Sequence, residues 1–168
     1  LRYVEEPRPL GTGGALKFAE QLLDERFLML NGDVLTDLDV TGQMEQHERT
    51  GATATLALTP VEDPSAYGLV RIAEDCAVTE FVEKPAPDQV DTKNISAGVY
   101  VLERSVLELL AEGESASIER DVFPRLVDLQ CVLLELPAQD RRQPGEPPLR
   151  PLELRRQAQG LATVQVQR

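Results

Sequence analysis

The segment Phe27-Leu28-Met29-Leu30-Asn31-Gly32-Asp33 decides the fold class of this chain. Four apolar residues followed by a glycine and a carboxylate are typical of a buried parallel strand that ends at Asp33. Open α/β sheets bind their ligands at the carboxyl edge, so Asp33 falls where a ligand would lie. A single carboxylate there suits a divalent cation and the phosphates that it carries. A strand-end turn, in which Gly32 and Asp33 supply only turn geometry, is the alternative that this segment leaves open.

The segments beside it continue an alternating α/β pattern. The apolar spacing over residues 15–23 predicts a helix between a short strand at 2–6 and the strand at 27–30. Strand, helix and strand within about 30 residues form a βαβ unit, which is normally parallel. A second helix at 42–50 and a strand at 52–59 extend this unit.

The pattern changes after this point to strands with little helix between them. Such strands are expected at 67–72, 77–83 and 96–102. A turn at Glu74-Asp75 joins the first two, which indicates an antiparallel or mixed portion. We therefore predict an α/β fold with a mixed, mostly parallel sheet flanked by helices.

Two short helices are expected after the last of these strands. One covers residues 105–110, and the other runs over 117–123 from Ser117, a good N-cap residue. Pro124 lies inside the second pattern and should distort or shorten it.

Length, charge and cysteine usage bound the class of protein. The 168 residues suffice for one domain, and a net charge of −12 argues against a nucleic-acid or anionic membrane partner. No apolar run approaches the roughly 20 residues that cross a bilayer. Cys76 and Cys131 lack metal-ligand spacing and indicate reduced thiols of a cytoplasmic protein. His47 lies on a polar helical face, and we expect it to be solvated.

The composition changes again after Pro137. The last 32 residues hold five of the chain's 12 prolines and carry a net charge of +3, which leaves −15 for residues 1–136. We therefore divide the chain into a domain at 1–128 and a proline- and arginine-containing tail at 129–168, expected to be poorly ordered. A partner-binding tail is the alternative.

Six motifs follow one another along the chain. They are Pro9-Leu10-Gly11-Thr12-Gly13-Gly14-Ala15-Leu16, Asn31-Gly32-Asp33, Tyr67-Gly68-Leu69-Val70, Phe81-Val82-Glu83-Lys84-Pro85, Asn94-Ile95-Ser96-Ala97-Gly98-Val99-Tyr100 and Ser117-Ile118-Glu119-Arg120-Asp121-Val122-Phe123-Pro124. In this order they resemble the sugar-phosphate nucleotidyltransferases, and especially the mannose-1-phosphate guanylyltransferases. The resemblance covers roughly residues 2–128.

The resemblance implies a Rossmann-like nucleotidyltransferase fold and an enzyme that joins a nucleoside triphosphate to a sugar 1-phosphate. Pyrophosphate is released, and Mg²⁺ is the expected cofactor. GTP and mannose 1-phosphate are the favoured substrates. The alternatives are thymidylyl transfer to glucose 1-phosphate and a non-catalytic regulatory or assembly relative. The sequence leaves the oligomeric state open, and a homo-oligomer is compatible with it.

On the nucleotide side, the resemblance implies roles for Glu6, Gly11 and Thr12. Gly11 and Thr12 match the loop that the family lays against the base, where glycine lets the backbone approach a flat ring. Glu6 falls where the base edge is read. A carboxylate only accepts hydrogen bonds and guanine presents adjacent donors at N1 and N2, so Glu6 favours guanine. An exposed acid at a strand end is the alternative for Glu6.

For catalysis, the resemblance points to Asp33 and Lys84. Asp33 matches the metal-binding aspartate and would hold Mg²⁺ between the α-phosphate and the attacking sugar phosphate. Lys84 matches the cation that meets the sugar phosphate as a point charge. A solvated Glu83–Lys84 pair is the alternative, although Pro85 favours a strand end that would let both side chains reach one ligand.

For the sugar, the resemblance implies Gly68, Glu83 and Ser96. The backbone of Gly68 matches a position that faces the sugar, and Glu83 matches the acid that accepts from sugar hydroxyls. Ser96 stands where the family has an asparagine, with a shorter reach. Gly98 is expected to allow close packing, and residues 117–124 are expected to be structural.

Two family features have no counterpart within these 168 residues. One is the glycine-rich phosphate loop with its catalytic Arg and Lys, which would precede Leu1. The other is a second metal-binding Asp in a Gly-Tyr-Trp-x-Asp-Ile-Gly stretch, and the chain contains no Trp. We therefore expect an incomplete copy that, by itself, catalyses poorly or not at all.

Overall fold

The fold is seen in a computed structural model that describes residues 3–82, 85–126, 129–133 and 163–166. Its two α-helices are α1, Gly11–Phe18, and α2, Val40–Thr50. The described strands are β1 Arg26–Asn31, β2 Ala54–Pro60, β3 Leu69–Ile72, β4 Val78–Val82, β5 Asn94–Glu103, β6 Leu129–Leu133 and β7 Thr163–Val166. The remaining helical segments are short 3₁₀ turns at Glu20–Leu22, Pro64–Ala66, Pro87–Gln89, Arg104–Leu109 and Phe123–Arg125, and a π-helical turn at Ile118–Val122.

Strand β5 organises the sheet. It is antiparallel to β1, β2 and β3, whereas the pairs β1–β7 and β2–β6 are parallel. The hairpin of β3 and β4 is also antiparallel. The predicted α/β class with a mixed sheet is confirmed, but four of the six described pairs are antiparallel, so the expected parallel majority is not found in these strands.

Strands β1 and β3 follow each other along one edge of β5, because β2 occupies the other edge. The last β1 pair on this edge is Leu30 with Val99, and β3 contributes the pair Leu69 with Ile95. Residues 96–98 of β5 therefore lie between the end of β1 and the start of β3. We call this place the notch.

A bulge in β5 shapes the notch. Leu56 pairs with Tyr100 and Leu58 with Ser96, so three β5 residues stand opposite a single β2 residue. The middle one, Gly98, has a φ of +70°, a conformation that glycine adopts without a Cβ penalty. A Cβ there would lie 2.9 Å from Val34 Cγ2 and 3.0 Å from Asn31 Nδ2. The expectation that Gly98 allows close packing is confirmed.

Both faces of the sheet are covered. One face packs under α1 and the turns between residues 104 and 125, in a core that includes Leu16, Phe27, Met29, Leu56, Tyr100 and Phe123. The other face packs under α2 and includes Leu28, Ala57, Val99 and Val101. Alternate residues of β1 thus enter opposite cores, as a strand requires.

Local signals explain where the helical segments begin and end. The Asp39 side chain accepts from Gly42 N at 3.0 Å and starts α2, and Gly51 ends it in the left-handed region. Ser117 acts as the predicted N-cap, because its hydroxyl accepts from Arg120 N at 3.3 Å. The following turn ends at Val122, so the expected shortening beside Pro124 is confirmed.

The N-terminal segment differs from the prediction. Residues 3–6 form no strand, and Tyr3 and Val4 are 88% and 42% exposed. Neither apolar side chain gains burial, and no described strand pairs with them, so the predicted βαβ unit is wrong in its first element. Helix α1 also begins at Gly11 rather than at residue 15.

The predicted tail contributes to the sheet. Residues 129–133 pair with β2 and residues 163–166 pair with β1. These two segments of the predicted tail thus extend the sheet, and the rest of 134–168 lies outside the described residues. The division at residue 128 and the expected poor order of 129–168 stay predictions.

His47 is buried, and the prediction of a solvated histidine is wrong. Its Nδ1 lies 2.8 Å from Thr55 Oγ1 and its Nε2 lies 2.9 Å from Glu103 Oε1. Arg26 Nε donates to the same Glu103 oxygen at 2.6 Å. The polar face of α2 is thus buried because strand residues supply partners for its polar groups.

This network makes stability sensitive to acid. Burial raises the pKa of Glu103, but hydrogen bonds from His47 and Arg26 outweigh burial and leave this pKa below its ordinary value of 4.5. A lowered folded-state pKa means that the ionised carboxylate stabilises the fold above pH 4.5 and that this contribution disappears as the pH falls further.

We expect Glu103→Gln to lower the free energy of unfolding at pH 7 by about 1–2 kcal/mol, because it weakens charge-assisted hydrogen bonds. Its stability should also fall less steeply below pH 4.5 than that of the parent chain. Urea unfolding at several pH values measures both effects. Glu45→Gln, on the exposed side of α2, is the matched control, and equal profiles for the two variants would contradict the prediction.

Candidate active site

The start of α1 carries the predicted nucleotide residues Gly11 and Thr12, and residues 19–25 connect α1 to β1. In open α/β sheets, ligands bind beyond the carboxyl ends of the strands, beside the N-termini of the helices. We therefore expect the N-terminus of α1, and with it the predicted nucleotide residues, at the end of the sheet that carries Asp33.

Asp33 follows β1 in a turn closed by a hydrogen bond from Val34 N to Asn31 O at 3.2 Å. Its side chain is exposed, and its carboxylate makes no hydrogen bond or ion pair within the described part of the chain. The turn geometry and a ligand role are compatible, because the turn leaves both carboxylate oxygens accessible.

Asn31 lies at the notch, and the sequence predicts no separate role for it. Its Oδ1 is buried and has no hydrogen-bond partner among the described residues. The side chain lies against Gly98, since a Cβ added to Gly98 would come within 3.2 Å of Asn31 Cβ. Because buried polar atoms are nearly always paired, the Oδ1 oxygen marks the notch as a place that can take a donor.

Gly68 and Ser96 meet at the other side of the notch. Leu69 pairs with Ile95 in antiparallel register, so the preceding Gly68 stands opposite Ser96. Two of the predicted sugar-binding positions are thus neighbours across strands, and both are half-buried. Glu83 and Lys84 lie outside the described residues; Val82, which precedes them, pairs with Leu69.

Ser96 belongs to a hydrogen-bond chain that the sequence did not reveal. Its Oγ accepts from Gly98 N at 3.3 Å and lies 2.8 Å from the Tyr100 hydroxyl. The Tyr100 hydroxyl donates to Glu119 Oε1. Tyr100 is fully buried and Glu119 is half-buried. Ser96 and Tyr100 share a face of β5, which is the one signal that could have paired them from sequence.

Glu6 is held by the start of α1. Leu10 N donates to Glu6 Oε2 at 3.2 Å, whereas Glu6 Oε1 is buried without a partner among the described residues. A carboxylate oxygen in this position is an acceptor that lacks a donor. The alternative of an exposed acid at a strand end does not fit, because Glu6 is half-buried and residues 3–6 form no strand.

The glycine-rich segment packs against residues 114–118. Gly13 N and Gly14 N donate to Ala116 O at 2.9 and 3.3 Å, and Thr12 Oγ1 accepts from Ile118 N at 2.9 Å. Gly11 has a φ of +71° and is exposed. The segment therefore joins α1 to the π-helical turn, and a base contact for Gly11 and Thr12 stays a prediction.

The donor set at the notch fits a magnesium ion that is carried mainly by phosphates. Among the described residues, no three His, Cys, Asp or Glu side chains are grouped to hold a metal. Mg²⁺ is usually bound by one or two carboxylates together with substrate phosphates and water. The exposed carboxylate of Asp33 satisfies that requirement.

The described helices give no sign of a membrane span, since none is both long and apolar enough to cross a bilayer. Cys76 is a free thiol.

A mixed sheet with helices on both faces and a polar site beyond β1 defines a Rossmann-like α/β class of ligand-binding proteins. Residues 1–141 match the family described as "Nucleotidyl transferase". This chain belongs to the nucleotidyl transferase family, and the predicted fold class and family are both confirmed.

Relatives of known name support this assignment. A mannose-1-phosphate guanylyltransferase of Mycobacterium tuberculosis is 39% identical over 128 residues, which cover 76% of this chain and 35% of that protein. A mannose-1-phosphate guanylyltransferase catalytic subunit beta of Drosophila pseudoobscura pseudoobscura is 38% identical over 133 residues, covering 77% and 35%. The chain thus spans about a third of the length of these relatives. They are named sugar-1-phosphate nucleotidyltransferases, so the family is one of enzymes.

Solved structures agree with the fold. The crystal structure of HddC from Yersinia pseudotuberculosis has a TM-score of 0.65 and 29% identity, covering 76% of this chain and 55% of that one. HddC complexed with GMP-PN gives the same TM-score and identity, covering 77% and 56%.

Proposed function

We propose that this chain provides part of a site that transfers the guanylyl group of GTP to mannose 1-phosphate. A phosphate oxygen of the sugar attacks the α-phosphorus, the bond to pyrophosphate breaks, and a nucleotide sugar forms. The observation that supports this most directly is the exposed carboxylate of Asp33 at the notch, beyond the carboxyl end of β1. Positioning and charge neutralisation are the main demands of such phosphoryl chemistry.

In this proposal, the predicted site residues bind different parts of the two substrates. Asp33 would hold Mg²⁺, which when bound neutralises phosphate charge and orients the two phosphates. Gly68 and Ser96 would face the sugar, since they stand opposite each other across β3 and β5. Glu83 would accept from sugar hydroxyls and Lys84 would meet the sugar phosphate.

The choice of guanine is supported by Glu6. Its Oε1 lacks a donor within the described residues, and guanine N1–H and N2–H are adjacent donors. Since Oε1 is buried, binding requires the chain around it to shift aside. The names of the relatives point the same way, and the HddC complex carries GMP-PN.

Titration calorimetry of the chain tests the proposal. We expect GTP with Mg²⁺ to bind more tightly than dTTP with Mg²⁺, and mannose 1-phosphate more tightly than glucose 1-phosphate. The opposite order for both pairs would favour thymidylyl transfer to glucose 1-phosphate. No binding of any of the four would contradict the proposed site.

The nucleotide preference should depend on Glu6. In Glu6→Gln, the amide nitrogen brings donors toward the guanine donors, and a charge-assisted acceptor is lost. We expect GTP affinity to fall about tenfold or more, with dTTP affinity unchanged, as titration of both nucleotides would show. Glu5→Gln, which changes the same charge on an exposed neighbour, should leave both affinities as they were. An equal loss in both variants would assign the effect to charge alone.

Turnover is expected to be low or absent for this chain alone, because its sequence lacks the family's second metal-binding aspartate motif. Efficient formation of nucleotide sugar by the isolated chain would contradict this expectation. Ligand binding without turnover by a longer chain that includes the missing motifs would favour a non-catalytic relative.

We also infer a cytoplasmic location from the free thiol of Cys76. A homo-oligomer is compatible with the proposed function.

A further inference from the structure

We propose that Glu119, acting through Tyr100, fixes the hydroxyl of Ser96 as a pure hydrogen-bond acceptor toward the sugar. The proposal rests on the proposed function of the notch and adds which sugar phosphates the notch can accept. Ser96 is then the residue that touches the sugar, and Tyr100 and Glu119 are positioning residues.

The direction of the hydrogen bonds follows from counting protons. The Tyr100 hydroxyl carries one proton, and it is donated to Glu119 Oε1. The contact of 2.8 Å between Ser96 Oγ and the Tyr100 oxygen therefore needs the proton of Ser96. Two hydroxyl oxygens at this distance without a proton between them would repel each other.

The remaining capacity of Ser96 is then defined. A serine hydroxyl has one proton and two lone pairs, and one lone pair accepts from Gly98 N at 3.3 Å. With its proton directed to Tyr100, Ser96 has one lone pair that no described residue uses and that a ligand can take. Ser96 is half-buried beside Gly68, so this lone pair can face the notch.

The packing around Tyr100 and Glu119 holds that end of the hydrogen-bond chain in place, which keeps the direction of its hydrogen bonds fixed. Tyr100 is fully buried, and its ring lies 5.1 Å from that of Phe123 in an edge-on arrangement. Glu119 belongs to the π-helical turn that Ser117 caps. Rotation of the Tyr100 hydroxyl away from Glu119 would leave a partly buried carboxylate oxygen without this donor.

A functional consequence follows for sugar choice. The asparagine expected from the family can donate and accept, whereas Ser96 in this arrangement can only accept. The notch should therefore select sugar 1-phosphates that present a hydroxyl donor at this position. It should reject analogues whose group there is absent or can only accept.

The direction can be tested without a ligand by nuclear magnetic resonance of the Tyr100 hydroxyl proton. We expect this proton to be protected from exchange in the parent chain and to stay protected in Ser96→Ala, because Glu119 still accepts it. Rapid exchange in Ser96→Ala would show that the proton is donated to Ser96, and would overturn the proposal. Circular dichroism of each variant establishes that it is folded.

The sugar preference is tested with deoxy and deoxyfluoro mannose 1-phosphates substituted at each hydroxyl position in turn. At the position that faces Ser96, we expect both analogues to bind about three- to tenfold more weakly than mannose 1-phosphate, because fluorine cannot donate. In Ser96→Ala this difference should disappear. In Tyr100→Phe, which keeps the ring packing, Ser96 can donate again and the deoxyfluoro analogue should bind more tightly than the deoxy one.

The outcomes separate this proposal from the proposed function. If mannose 1-phosphate binds but no position shows a penalty that Ser96→Ala removes, the acceptor role is wrong and the proposed function stands. If neither mannose 1-phosphate nor glucose 1-phosphate binds, the proposed function fails, and the role toward the sugar fails with it. The exchange measurement then decides only the direction of the Glu119–Tyr100–Ser96 chain.

Discussion

Replacing Asp33 with asparagine is expected to weaken the magnesium-dependent binding of GTP at least about tenfold. Changes to residues that merely support a metal ligand already cost about 10- to 100-fold in metal affinity, and loss of a direct ligand costs at least as much. The amide keeps the size of the side chain but removes the charge that Mg²⁺ requires. Titration of GTP into the chain with and without Mg²⁺ gives the affinity ratio that should collapse.

Asp24→Asn is the matched control for this experiment. Asp24 is also exposed and also flanks β1, but it lies at the amino end of the strand, away from the notch. The same change of charge there should leave the magnesium-dependent ratio unchanged. An Asp33→Asn chain that kept the full ratio would show that the ion is held elsewhere, and the assignment of Asp33 would be wrong.

The part of the fold around the candidate site that the sequence predicted is local in the chain, and the role of Asp33 there stays a prediction. The run from Phe27 to Asp33 contains its own strand, its own turn and its own carboxylate, so a short window sufficed. Gly98 was also interpretable, because a glycine inside a strand often marks a bulge or a close approach.

The part that the sequence did not predict depends on contacts between distant segments. Glu119 reaches Ser96 only through Tyr100, and the three residues come together because a π-helical turn packs over β5. No spacing rule connects position 119 with position 96. The sequence therefore predicts only a structural role for residues 117–124, although Glu119 is connected by hydrogen bonds through Tyr100 to Ser96, a predicted sugar contact.

His47 shows a second reason why burial could not be predicted from the sequence alone. Its neighbours along α2 are polar, and the helical pattern alone predicts a solvated face. That face is buried because Thr55 and Glu103, on two different strands, offer partners for the imidazole. A polar stripe can thus enter the interior wherever the sheet supplies matching polar groups, and one sequence does not show this.

Replacing Gly11 with alanine is expected to lower the free energy of unfolding strongly. In Gly11→Ala, the new Cβ would lie 2.6 Å from the backbone oxygen of Ala116, and the residue would keep a φ of +71°. The left-handed conformation costs an alanine about 1–2 kcal/mol, and crowding against a backbone atom adds about 1–3 kcal/mol. We expect urea unfolding to show a loss of about 2–5 kcal/mol.

Gly51→Ala separates these two costs. Gly51 also has a positive φ, +66°, but a Cβ there would meet nothing within 4 Å. The conformational cost and the effect of alanine on the unfolded chain are shared by the two variants, so their difference isolates the crowding against Ala116. A difference of about 1–3 kcal/mol would establish that glycine at position 11 is required by the contact between α1 and residues 114–118. Equal losses would mean that the backbone at Ala116 moves aside without cost. The contact would then not require glycine at position 11, and the predicted approach to the nucleotide base would be the remaining reason for it.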